Sequence, residues 1–173
     1  MNNFKNIKTG DLLYVSGRGP IAWLIKKLTK GQMSHVGIIY DERLVFETEG
    51  RWLKAQLFPV TKYLKSRIFV RRLKSMSDGQ RLTVKNLCEK YNNKPYSYLD
   101  ILLNAVAAPM PDKWRKAFVS KLGNKAFARC GELSRRIVYE ATTYEPYQDF
   151  EASNPSETFK DGEKSGDFEV IIL

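Results

Sequence analysis

The chain has 173 residues, 43% of them apolar, with nine Phe, nine Tyr and three Trp. A length of this order suits one domain with a real core, and the composition excludes disordered and fibrous classes. The formal net charge is +10, from 29 Lys and Arg against 19 Asp and Glu, and two cysteines are too few for a disulfide scaffold.

In chain order, Lys8-Thr9-Gly10-Asp11 reads as a turn and Leu12-Leu13-Tyr14-Val15 as a short buried strand. Gly17-Arg18-Gly19-Pro20 opens a helix, with Pro20 suited to the first helical position. Ile21, Leu24, Ile25 and Leu28 then share one helical face, Lys26, Lys27 and Lys30 lie off it, and Gly31 ends the segment. A strand pair follows, His35 to Tyr40 and Leu44 to Thr48, joined by Asp41-Glu42-Arg43. Leu57 to Leu64 is expected to be a connection, and Arg67 to Leu73 a strand.

From Ser77 to Tyr91 the period turns helical, with Val84, Leu87, Cys88 and Tyr91 on one stripe. Tyr98–Ala108 and Lys113–Leu122 have the pattern of helices separated by Pro109-Met110-Pro111. Cys130–Ala141 is expected to be a helix with Leu133, Ile137 and Val138 inward. A loop at Asn154-Pro155-Ser156 leads to a last strand, Phe168 to Leu173. The whole is one α+β domain, 1–173, loop-rich from about residue 145.

Charge and termini set further expectations. Basic residues fall in short groups such as Lys26-Lys27, Arg71-Arg72 and Arg135-Arg136, the pattern of a solvated surface or of a face for anionic polymers or lipid, without a specific nucleic-acid motif. The N-terminus lacks the charged start and apolar run of a signal peptide. The expectation is a soluble protein, cytoplasmic or associated with a phage particle, of unspecified oligomeric state.

His35 is the chain's single histidine, at the start of a run of β-formers. If the hairpin connection holds an odd number of residues, Glu47 shares its face and can hold one imidazole nitrogen; Glu49 has the same parity, and an even loop would remove both. Cys130 stands where a helical stripe begins, so its thiol feels unpaired amide hydrogens and the positive end of the helix dipole. Gly131 beside it leaves space for a substrate carbonyl. Cys88 sits mid-helix on the apolar stripe and reads as a core residue. One His and two distant Cys make no metal-binding motif, and no cofactor is called for.

Four segments in order, Thr9-Gly10-Asp11-Leu12-Leu13-Tyr14-Val15, Ser34-His35-Val36-Gly37-Ile38-Ile39, Val45-Phe46-Glu47 and Cys130-Gly131-Glu132-Leu133, resemble the circularly permuted NlpC-type papain-like cysteine hydrolases, in their YiiX-like branch. The resemblance implies a small antiparallel sheet packed against helices, with Cys130 as nucleophile, His35 as base and Glu47 as orienting acid. It extends more weakly to Lys94-Pro95-Tyr96-Ser97-Tyr98, where Tyr96 would lie near the site but Ser97 replaces the family's Asp. Ser34 joins Tyr96 and Gly131 as an expected binding residue. The implied activity is thiol-dependent cleavage of amide bonds, with peptidoglycan peptide linkages as substrate. The alternatives are a lipid ester hydrolase or acyltransferase of the same fold and a non-catalytic polyanion-binding module.

Overall fold

The computed structural model describes residues 4–49, 54–95, 110, 111, 114, 130–148 and 155–173. Strand β1 (Leu12–Ser16) leads into α1 (Pro20–Leu28), then β2 (His35–Ile39), β3 (Leu44–Glu49) and β4 (Lys54–Pro59). A 3-10 turn at Val60–Tyr63 precedes β5 (Arg67–Leu73) and α2 (Asp78–Tyr91). After these come α3 (Cys130–Thr142), a second 3-10 turn at Glu145–Tyr147, α4 (Pro155–Lys164) and β6 (Phe168–Ile171).

The strands form one antiparallel sheet in the order β4-β3-β2-β1-β5-β6. Alternation along each strand divides the core in two. Leu12, Tyr14, Val36, Ile38 and Phe46 face α2 and α3, meeting Val84, Cys88, Leu133, Ile137 and Val138. Leu13, Val15, Ile39, Val45 and Val70 form the opposite layer with Ile7, Val60 and Tyr63. Each such fully buried side chain contributes about 1.5–3 kcal/mol.

Local chemistry explains the element starts. Pro20 opens α1 after Gly19, whose φ of +104° is a conformation glycine adopts freely. Ser77 caps α2 reciprocally: its hydroxyl accepts from the Gln80 amide, and the Gln80 side chain accepts from the Ser77 amide. The turn before β1 needs Gly10, at φ +87°, because a Cβ there would come within 2.4 Å of the Met76 sulfur. Asp11 beside it is fully buried. Its carboxylate accepts from Arg72 Nε and Nη2, both at 2.9 Å, and from the Lys8 amide at 2.8 Å. Burial raises the Asp11 pKa, against the opposing pull of Arg72.

Two expectations change. Lys54–Pro59, read partly as a connection, is an edge strand, since pairing with β3 satisfies a backbone whose side chains do not alternate cleanly. The segment from 145, read as loop-rich, contains α4, whose Phe159 packs edge-on against Tyr14 and Phe69. The polar sequence of α4 hides this, because only a narrow stripe is buried. The expected helices at 98–108 and 113–122 fall, Trp114 apart, outside the described residues.

Two basic groups also differ from a solvated surface. Arg71 and Arg135 are 6% and 7% exposed. Arg71 pairs with Glu163 at 2.9 Å and lies 4.0 Å from the Phe159 ring centroid; Arg135 pairs with Asp161 and lies over Tyr147. A guanidinium stacks and pairs at once, so these arginines brace α4 against β5 and α3. Among the described residues no helix is long and apolar enough to cross a membrane.

Candidate functional site

The β2–β3 register is Ile38↔Phe46 and Ile39↔Val45. Partner numbers therefore sum to a constant, which places Gly37 across from Glu47 and His35 on the diagonal, on the same face. The connection is of the odd kind. His35 Nε2 lies 2.8 Å from Glu47 Oε2. Glu49, the alternate by parity, ends β3 opposite Lys54.

Gly37 makes room for this contact. A Cβ there would stand 2.7 Å from Val45 Cγ2 and 3.2 Å from Glu47 Oε2. The glycine two residues after His35 thus lets a carboxylate fold over the strand beside the imidazole.

α3 approaches from the other layer, with Leu133, Ile137 and Val138 against Val36 and Ile38. Its first residue, Cys130, is a free, half-buried thiol close enough to His35 to help raise the imidazole pKa. Nε2 is directed at Glu47, which leaves Nδ1 for the thiol. Gly131 follows at the helix start, fully covered. The first amides of a helix have no partner within it, so this terminus can receive an oxyanion beside the thiol.

The electrostatics of the pair are strong. Burial acts against the imidazolium, but Glu47 and Cys130 outweigh it, and the His35 pKa is raised from 6.5 to about 10. Burial likewise acts against the Glu47 carboxylate, but His35 and Lys62 prevail and its pKa falls from 4.5 to about 2. Glu47 is therefore an anion with a completely buried side chain, while His35 keeps a side-chain exposure of 21%.

Ser34 is committed elsewhere: its hydroxyl donates to the Val15 carbonyl at 3.1 Å and accepts from the Gly17 amide at 2.9 Å. It ties the entry of α1 to the start of β2. Tyr96 lies outside the described residues. Cys88 is 1% exposed, and burial raises its thiol pKa far above the ordinary range.

Sequence reasoning missed Lys62 and Tyr63. The Tyr63 hydroxyl donates to Glu47 Oε2 at 2.6 Å, and the Lys62 ammonium contacts Oε1. β4 and the 3-10 turn bring them to the carboxylate, and no local spacing signals such an approach.

No protein-family model matches the chain, and no curated protein matches its sequence. Among solved structures, the crystal structure of metalloprotein YiiX from Escherichia coli O157:H7, a DUF1105 protein, is similar over 95% of this chain and 88% of its own, with a TM-score of 0.59. Sequence identity is 19%, so the likeness is one of fold: the chain has a YiiX-like α+β architecture.

Proposed function

We propose that the chain is a cysteine hydrolase that cleaves amide bonds, with peptidoglycan peptide linkages as its substrate class. The observation that carries this reading is the ordered series Glu47–His35–Cys130, with the thiol on the first residue of α3. In this reading His35, whose raised pKa favours the imidazolium, carries the Cys130 proton in the resting pair, and the thiolate sulfur attacks the scissile carbonyl. Amide hydrogens at the start of α3 receive the oxyanion. His35 then returns the proton to the leaving amine as the C–N bond breaks, and a water molecule deprotonated by His35 releases the acyl group from sulfur.

YiiX is described as a metalloprotein. Among the described residues here, no three His, Cys, Asp or Glu side chains form a group that could hold a metal ion. Glu47 already accepts from His35, Tyr63 and Lys62. That donor set does not fit a resident metal, and the steps above use the chain's own groups.

A second reading, lipid ester hydrolysis, draws on α1. Trp23 and Leu24 are 58% and 41% exposed there, beside Lys26 and Lys27, as on helices that lie in lipid interfaces. The test is release of new amino termini from purified cell wall and of fatty acid from anionic phospholipid vesicles, using parent, Cys130→Ala and His35→Ala. Each substitution is expected to abolish whichever of the two activities the parent shows, with the melting temperature of Cys130→Ala within a few degrees of the parent and that of His35→Ala lowered by loss of the buried pair with Glu47. Because Cys and His act as a unit, the double variant should lose little more than either single one. Full activity in Cys130→Ala would overturn the hydrolase reading.

A further inference from the structure

Glu47 meets two cations through different oxygens. Oε2 faces His35 Nε2 and the Tyr63 hydroxyl, while Oε1 faces the Lys62 ammonium. Lys62 is held there by its surroundings: its Nζ lies 4.0 Å from the ring centroid of Phe58, on β4, and 5.0 Å from that of Tyr63. Its side chain is 28% exposed, so the charge is only partly screened by water.

We infer that Lys62 is a positioning residue that acts through Glu47: its ammonium neutralises the carboxylate at Oε1, so that Glu47 presents itself to His35 as an acceptor with little net charge. An uncharged asparagine serves that purpose in the Cys-His-Asn arrangement of papain-like proteases. Here a carboxylate and a lysine together do the same. The consequence for turnover rests on the hydrolase reading, whereas the effect on His35 belongs to the resting protein.

The physical argument is competition. Two cations on one carboxylate weaken each other's hold, because each sees a charge the other has already offset. A bare carboxylate on His35 would hold the imidazolium proton too firmly. His35 would then release it more slowly to a leaving amine and would be neutral still less often than a pKa of about 10 allows. Among the described residues, the titratable groups bearing on the pair include Lys62 and Tyr63 from the 3-10 turn and Cys130 from α3. With Lys62 in place the His35 pKa is already raised to about 10, so losing the lysine moves it further up.

The chain's single histidine makes this measurable without substrate. Imidazole nitrogen shifts of 15N-labelled protein are followed with pH in the parent, Lys62→Met and Lys62→Arg. At pH about 10, where the parent's ring is about half deprotonated, the Met variant is expected to show about a tenth, a shift of about one pH unit. The Arg variant keeps the charge and should titrate like the parent. The same order should appear in the alkaline limb of the pH profile for amide cleavage, with kcat falling and KM unchanged in Lys62→Met. A His35 midpoint that stays put or falls in Lys62→Met overturns the inference; should that variant not fold, Lys62→Gln carries the same expectation and the same refutation. If Cys130→Ala retains full activity, the hydrolase reading fails while the titration still decides the role of Lys62.

Discussion

The buried carboxylate of Glu47 couples protonation at two residues to the stability of the whole chain. Its pKa is lowered in the fold, so the stability it contributes is present above the unfolded value of 4.5 and disappears as pH falls through about 2. His35 is raised, so its contribution is complete below 6.5 and disappears as pH rises through about 10. The pair therefore stabilises most between these unfolded values, near pH 4.5 to 6.5. Glu47→Gln removes the charge while keeping a similar shape. Urea unfolding of parent and variant should show the largest stability gap inside that window, closing as pH climbs toward about 10. A gap that is constant with pH would mean that Glu47 contributes through packing alone. Cys88, a buried thiol whose pKa is raised by that burial, is expected to resist alkylation in the folded protein.

At the level of elements, α4 controls where His35 stands. The Ser156 hydroxyl, fully buried in the first turn of α4, donates to the Met33 carbonyl at 2.9 Å and lies 3.2 Å from the Met33 amide. It thereby fixes the loop whose next two residues are Ser34 and His35. Gly31 lets α4 come this close, since a Cβ there would be 2.0 Å from the Ser156 oxygen. Ser156→Ala leaves buried backbone groups short of a partner and should cost about 1–3 kcal/mol. Gly31→Ala should cost a similar amount by overpacking, about 1–3 kcal/mol. Both are read by chemical denaturation, and both should slow alkylation of Cys130, because the imidazole beside it is displaced. Unchanged stability in the two variants would show that α4 merely rests on the loop.

For the molecule as a whole, the net charge of +10 has a narrower meaning than its size implies. Arg71, Arg72 and Arg135 are committed to Glu163, Asp11 and Asp161 inside the fold. Lys26 donates to the Gly17 carbonyl at 2.9 Å, so on α1 Lys27 is the lysine with an exposed charge. If such charges guide the protein to cell wall or to an anionic bilayer, binding should weaken steeply between about 50 and 300 mM salt, because exposed charges are screened beyond about 8 Å at physiological ionic strength. Pull-down on purified wall and on anionic vesicles across a salt series checks this. Binding that ignores salt would assign the surface charge to solvation only.

Much of the architecture was legible because local patterns carried it. The β-formers of β2, the helical stripes of α2 and α3, and Cys130 at a helix start are set by residues close in sequence. His35 and Glu47 were related by parity alone, which left the hairpin open between odd and even until the register was known. Tertiary structure decided the rest. β4 became a strand through its partner β3, and α4 buries only a narrow stripe against Tyr14 and Phe69. Lys62 and Tyr63 reach Glu47 only because the chain turns back after β4. A hydrophobic period records which side of an element is buried, but the charge that meets a buried carboxylate comes from another element, brought there by packing that no local spacing encodes.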